Sequence, residues 1–310
     1  MNVVDQFYDL IDECCMLLNE KLHLNYFDSL IRVSNDILYG IDVSRLEEDD
    51  IEKLKSTYNK LDNIEITNEE VRLSMQLLII KAMKHINMNL EIMTPDYINY
   101  IIAYLVNSYF KDKKMINILD VEVGTGNLIN SVSNFIQCES NLFGVENNKL
   151  LIDICKANSN LQNNDINLYY QDTLMPLMEK VDVVIGDLEC KDTEDGKYYP
   201  YQILLNYLKN IEDNGIFIYL IENDFFNNKD LQSFKKDFCG TLLGLIVLPQ
   251  NLFHEGHIGK SLLIGTNKYI SSFEMMIMQL SDINNKDKFY KDLQEIQEWI
   301  NKIKEIEKWK

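Results

Sequence analysis

Through the first 90 positions, apolar residues recur three and four apart and never alternate. Val4, Phe7, Leu10, Ile11, Cys14, Leu17 and Leu18 trace one stripe, which predicts an amphipathic helix. Leu46 to Leu61 is heavily charged but keeps the same spacing. Thr67-Asn68-Glu69-Glu70 offers a cap with acids in the first turn, opening a helix that runs to about His85. Residues 1–90 therefore read as an all-α helical domain in which no residue demands a chemical role. His23 and His85 have no sequence partners that would make them ligands. After Met93-Thr94-Pro95-Asp96 an apolar helix is expected from about Tyr97 to Phe110, with Thr94 or Asp96 as its cap and Pro95 near its first turn.

From Met115 the pattern changes to strand, loop and helix in turn. Strand-like runs reach from Met115 to Asp120, Asn141 to Val145, Asn167 to Tyr170, Val181 to Ile185, Gly215 to Ile221, Thr241 to Leu248 and Ser261 to Thr266. Helical stretches lie between them, near 127–135, 150–157 and 201–208. This alternation predicts a doubly wound, Rossmann-like α/β fold with a mostly parallel sheet and right-handed crossovers. It assigns residues 91–282 to the α/β domain. Residues 283–310 read as a C-terminal helix, with Leu293, Ile296, Ile300 and Ile303 as a seam that packs on that domain or on a partner.

Composition changes this picture only slightly. No apolar run approaches the roughly 20 residues of a membrane span, and the N-terminus lacks the basic and apolar regions of a signal peptide. The six cysteines form no CxxC pair and suit reduced thiols, so a cytoplasmic protein is expected. The formal net charge of −19 weighs against nucleic acid, whose binders gain affinity by releasing counterions from phosphates with Lys and Arg.

The candidate chemistry sits where strands end. Asp120, Glu146, Asp172 and Asp187 close the first four predicted strands, the edge at which doubly wound sheets bind ligands. After Asp120 comes Val121-Glu122-Val123-Gly124-Thr125-Gly126-Asn127-Leu128, a glycine turn leading into a helix. Glu146, about 20 residues beyond the glycines, is placed to accept hydrogen bonds from ribose hydroxyls. Dinucleotides and S-adenosylmethionine both use this arrangement. A dinucleotide calls for a third glycine or an alanine where this chain has Ile129. Clustered carboxylates suit the sulfonium and ammonium of S-adenosylmethionine and would repel a pyrophosphate. The methyl donor is therefore the expected cofactor, with Asp172 placed to reach its adenine amine.

Residues 120–128 resemble the D-P-x-x-G-T-G-N-L loop of the N6-adenine DNA methyltransferase family, and Met93-Thr94-Pro95 resembles the Thr-Pro segment that folds over the cofactor there. Leu248-Pro249-Gln250-Asn251-Leu252-Phe253 and Gly259-Lys260-Ser261-Leu262-Leu263 look like the late strands of that family, as in type I restriction modification subunits. The likeness is greatest to YtxK-type methyltransferase-like proteins of low-GC Gram-positive bacteria, which also carry an N-terminal helical domain. The resemblance implies a class I methyltransferase fold. It further implies S-adenosylmethionine held by Thr94, Pro95, Asp120, Gly124, Thr125, Gly126, Asn127, Glu146, Asp172 and Thr173, with S-adenosylhomocysteine as product.

The chain departs from the family at the catalytic loop, Asn/Asp-Pro-Pro-aromatic. There a side-chain oxygen and a backbone carbonyl accept hydrogen bonds from the target amine, prolines fix the backbone, and the aromatic ring stacks on a flipped base. Here the segment reads Asp187-Leu188-Glu189-Cys190, without proline or ring. The YtxK-type loop, Asp-Leu-Pro-Val-Gly-Tyr-Tyr-Pro, is matched at its ends by Asp187-Leu188 and Tyr198-Tyr199-Pro200, while residues 189–197 are longer and acidic. Asp187 would face the acceptor amine, and Tyr198 or Tyr199 would supply the stacking face. Val121 stands where the family has its first proline.

Four readings follow: an N6-adenine-type methyltransferase, a binding module of the same fold acting through a protein partner or homodimer, a nicotinamide oxidoreductase disfavoured by Ile129, and a protein-amide methyltransferase, which the acidic surface suits better than DNA. Two decoys are set aside. Gly256-His257-Ile258-Gly259-Lys260-Ser261 has two residues between its glycines where a phosphate loop has four. His254 and His257 lack the further ligand spacing of a metal site.

Overall fold

The computed structural model describes residues 2–90, 93–175, 177–253, 258–271 and 273–308; His254 and His257 therefore lie outside the described residues. In chain order the first elements are α1 (Val3–Leu22), α2 (Tyr26–Tyr39), α3 (Glu48–Leu61), α4 (Asn68–His85), α5 (Asp96–Phe110), β1 (Met115–Asp120), α6 (Asn127–Phe135), β2 (Glu139–Glu146), α7 (Lys149–Leu161) and β3 (Ile166–Tyr170). Then come β4 (Val181–Asp187), α8 (Tyr199–Tyr207), β5 (Ile211–Glu222), α9 (Leu231–Asp237), β6 (Thr241–Val247), β7 (Lys260–Thr266), β8 (Met276–Gln279) and α10 (Lys286–Lys308). The chain divides into two units. One comprises Met1–Tyr100, Val123–Phe135 and Glu146–Tyr170; the other comprises Ile101–Glu122, Ile136–Val145 and Gln171–Lys310.

The first unit is helical because its apolar stripes meet. Ile11, Cys14, Cys15 and Leu18 of α1 are buried with Leu30 and Val33 of α2, Leu54 of α3, Met75, Leu78 and Ile79 of α4, and Ile154 of α7. Each fully buried Leu or Ile contributes about 1.5–3 kcal/mol, against about 0–1 for a surface ion pair, so this core dominates. Side chains fix the helix starts. The side-chain Oδ1 atoms of Asn2 and Asn25 accept the Asp5 and Asp28 N–H groups, and Thr67 with Glu70 forms a reciprocal capping box. His23, at φ 57°, ends α1, and the His85 ring packs against Tyr26.

The second unit carries seven strands in the order β2-β1-β4-β5-β7-β6-β8; β3 belongs to the first unit. β1 pairs in parallel with β2 and β4, and β4 with β5, whereas β7 runs antiparallel to β5 and β6. The near-continuous burial of β4 marks an interior parallel strand covered on both faces. The order reverses direction between β1 and β4, which places a topological switch point at their carboxyl ends. Asp120, the last residue of β1, is in register with Ile185, so β4 runs two residues further, to Asp187.

Three features depart from the hydrophobic pattern. β8 lacks the β-branched run of a typical strand and is held by parallel pairing to β6. β5 begins at Ile211, ahead of an Asn214-Gly215 pair that reads as a turn; Asn214 sits at φ 64° and the register with β4 shifts there. The helix α9 is too short to show a period. α10 packs within its own unit: Ile296, Ile300 and Ile303 are buried, the Tyr104 hydroxyl donates to the Leu293 carbonyl, and Trp299 lies so close to β6 that a Cβ on Gly244 would meet its ring at 2.8 Å. Among the described residues no helix is long and apolar enough to cross a membrane.

Candidate functional site

In the first unit the glycine loop is built on left-handed backbone. Gly124 and Gly126 have φ of 52° and 76°. At Gly126 a Cβ would also lie 2.8 Å from Cys155 Sγ and 3.0 Å from Asn130 Nδ2, so both conformation and space require glycine. The Gly126 carbonyl accepts the Asn130 N–H, which starts the first turn of α6, and the Thr125 carbonyl accepts Asn158 Nδ2 of α7 at 3.1 Å. Asn127 is buried and donates to the Thr94 carbonyl at 3.0 Å, which ties the Thr-Pro segment to the loop. The Pro95 carbonyl accepts the Ile98 and Asn99 amides. Glu146, at the end of β2, accepts the Asn148 N–H at 2.7 Å, and Asn148 in turn caps α7.

Arg72 carries no motif in the sequence, and the structure gives it a structural role. This side chain is fully buried on α4. Its guanidinium donates twice to Glu69 at 2.9 and 2.6 Å, once to Asp96 at 2.9 Å and once to Asn127 Oδ1 at 2.6 Å. Glu69 also accepts from Tyr100 and from Asn134 of α6. Burial alone would lower the Arg72 pKa, but the hydrogen bonds and charge of Glu69, with Asp96, raise it instead. Asp96 faces Arg72 in this network, and the Thr94-Pro95-Asp96 turn and the glycine loop share one buried cation. A signal was present: Arg72 falls on the helical stripe shared by Met75 and Ile79, where a lone charge needs partners.

In the second unit Asp120 is buried at the end of β1 and accepts the Glu122 N–H at 3.2 Å. Asp172 is exposed and turns the chain by accepting the Leu174 N–H at 2.8 Å. Thr173 is buried, donating to the Val121 carbonyl at 3.1 Å while its own carbonyl accepts the Tyr207 hydroxyl. Val121 donates its N–H to Ile185, a bond that the proline of the family motif could not make.

The segment after β4 is ordered by its own bonds. The Leu188 N–H meets the Leu220 carbonyl, the Tyr199 N–H meets Lys191, and Thr193 and Lys197 close a small turn. Asp187, the expected acceptor-facing group, forms an ion pair with Lys260 of β7 at 2.6 Å. Tyr198 is buried edge-to-face against Tyr201 and Phe225, so its ring is committed to packing. Tyr199 is buried as well, with the Lys191 ammonium 4.6 Å from its ring centroid. Its hydroxyl donates to Glu122 Oε1 at 2.8 Å, and the other Glu122 oxygen accepts the Glu189 N–H at 3.2 Å. Burial lifts the Glu122 carboxyl to about 7, although both hydrogen bonds pull it down. Burial, then the Glu122 charge, raises the Tyr199 phenol. Among the described residues, Cys190, Glu222 and Asp224 bring donor atoms within 4.8 Å of one another, a gathering of partly exposed groups that is common without an ion.

Comparison with known proteins agrees with this architecture. Residues 5–83 match the family model described as the YtxK N-terminal helical domain. Over most of its length the chain is similar to the uncharacterized protein YtxK of Bacillus subtilis (strain 168): 30% identical over 270 residues, 80% of this chain and 82% of that protein. Among solved structures, it superposes with a TM-score of 0.84 and 25% identity on a Listeria monocytogenes protein provisionally classed as a class I S-adenosylmethionine-dependent methyltransferase, covering 96% of this chain and 99% of that one. A type I restriction-modification methyltransferase subunit from Streptococcus thermophilus shares the fold at a TM-score of 0.62 and 14% identity, over 88% of this chain and 74% of that one. With a helical N-terminal region, a doubly wound sheet and a glycine loop following its first strand, the chain has the class I methyltransferase fold and belongs to the YtxK family.

Proposed function

We propose that the protein binds S-adenosylmethionine and transfers its methyl group by the N6-adenine methyltransferase route, with an altered acceptor segment. The observation that carries this reading is the recurrence of a carboxylate at or just after the end of each of the first three strands. Buried Asp120 closes β1, Glu146 closes β2 and exposed Asp172 follows β3, in a chain whose first strand leads into a loop with two left-handed glycines. Three carboxylates favour a cofactor with a cationic amino-acid end and ribose hydroxyls, and they disfavour a pyrophosphate. Thr94, Pro95, Asp120, Gly124, Thr125, Gly126, Asn127, Glu146, Asp172 and Thr173 would hold the cofactor. When bound it supplies an electrophilic methyl on a sulfonium. Asp187 would orient the acceptor amine, and Tyr199 would line the acceptor side.

Calorimetric titration with S-adenosylmethionine and S-adenosylhomocysteine tests the reading. Saturable binding, abolished by Asp120→Ala or Glu146→Ala, is the expected result; no heat at millimolar ligand would sink it. A second reading is favoured by the Lys260–Asp187 ion pair. The chain's own ammonium sits where an acceptor amine would be received, which suits a module that binds cofactor without turnover. Labelled methyl donor separates the two. Under the second reading Lys260→Met also fails to label any acceptor although the cofactor binds.

A further inference from the structure

Glu122 lies between the acid and the glycines of the cofactor loop, yet its carboxylate is directed at the segment that follows β4. One oxygen accepts the Tyr199 hydroxyl at 2.8 Å, and the other accepts the Glu189 N–H at 3.2 Å. That segment is anchored on either side by the Leu188–Leu220 and Tyr199–Lys191 backbone bonds. Between these anchors, residues 188–190 have no proline to fix φ or to remove a donor. A backbone amide there needs an acceptor, and a group reaching across from the end of β1 supplies one.

We propose that Glu122 is the positioning residue of the acceptor segment: braced by the Tyr199 hydroxyl, its carboxylate grips the Glu189 N–H and fixes the backbone beside Asp187, as prolines do in the family loop. The functional meaning of this grip rests on the methyltransferase reading; the grip itself does not. It is also proton-linked. Tyr199 and Tyr207 of α8, Tyr219 of β5, Glu189 and Lys191 of the segment, and Asp120 at the end of β1 face Glu122. Burial holds its carboxyl near 7. Ionised, it accepts both hydrogen bonds; protonated, one oxygen becomes a donor set against another donor, and the grip slackens.

Amide exchange of the full-length protein, expressed as protection over the intrinsic rate, tests this between about pH 5.5 and 8.5. The Leu188 amide, bonded to β5, is the internal control. In the wild type, Glu189 protection should rise with pH through a midpoint of about 7. Glu122→Ala should lose it at every pH by about tenfold, with Leu188 unchanged. Glu122→Gln, which keeps a carbonyl acceptor but cannot titrate, should hold an intermediate protection that does not change with pH. Should Ala disturb Leu188 too, the Gln profile decides. A wild-type pH profile in Gln, or full Glu189 protection in an intact Ala variant, overturns the proposal. If the cofactor fails to bind while the exchange results hold, the methyltransferase reading falls alone. If it binds while Glu189 is indifferent to Glu122, only the grip falls.

Discussion

At the scale of single residues, backbone conformation and buried charge set the demands. Gly126 and Gly40 separate two costs of replacing glycine. Gly40 has φ 92° and nothing within 4 Å of where a Cβ would stand, so Gly40→Ala carries conformational strain alone, about 1 kcal/mol. Gly126→Ala adds contacts of 2.8 and 3.0 Å with Cys155 and Asn130 and should cost about 2–4 kcal/mol. Urea midpoints of the two variants measure the gap, and equal losses would deny the close packing under the loop. Glu122 gives a prediction in pH. Its folded pKa of about 7 lies above the ordinary 4.5 because burial outweighs its two hydrogen bonds. Although ionisation tightens the Glu189 contact locally, the net contribution of Glu122 to global stability is therefore fully present below 4.5 and is lost as pH rises through 7. Relative to Glu122→Gln, the wild type should therefore lose stability from about pH 5 to pH 8, by about 1–2 kcal/mol once partial exposure is discounted. A flat difference between the two unfolding curves would contradict the raised pKa.

At the scale of elements, Arg72 decides how α4 meets the loop that starts α6. Arg72→Ala would leave Glu69, Asp96 and Asn127 Oδ1 without their shared donor. The expected loss is about 3 kcal/mol, read as a fall in urea midpoint. Arg72→Lys should recover only part of it, since one ammonium cannot replace a forked guanidinium on three partners. Recovery to wild type by lysine would mean that charge matters there and geometry does not. What the chain discloses in advance follows from range. The glycine loop, β4 and α1 are legible because their signals repeat within a few residues. The Glu122–Tyr199 and Asp187–Lys260 contacts join positions 77 and 73 residues apart, where no local period reports them. Arg72 is intermediate: its stripe marks it as inward-facing, but only the fold reveals Asn127, 55 residues away, as its partner.

At the scale of the whole molecule, 49 acidic against 30 basic residues bear on the acceptor. A net charge of −19 repels polyanions unless a local basic surface overrides it. Around the acceptor segment the lysines are already engaged: Lys260 with Asp187, Lys191 with Glu189, Lys197 with Asp195 and Lys229 with Asp192. Phosphates would have to displace each of these carboxylates before releasing any counterion, so the usual source of nucleic-acid affinity is cancelled locally as well as globally. An amine on a neutral or basic polypeptide meets no such opposition. Duplex DNA should therefore show no saturable retardation at about 150 mM salt, with or without S-adenosylmethionine, and lowering the salt should gain far less than the steep increase that several phosphate contacts produce. Tight binding with a steep salt dependence would show that the engaged lysines let go on contact, and would return DNA to first place among the acceptors. Its absence, beside intact cofactor binding, would direct the search for the methyl acceptor to protein side chains.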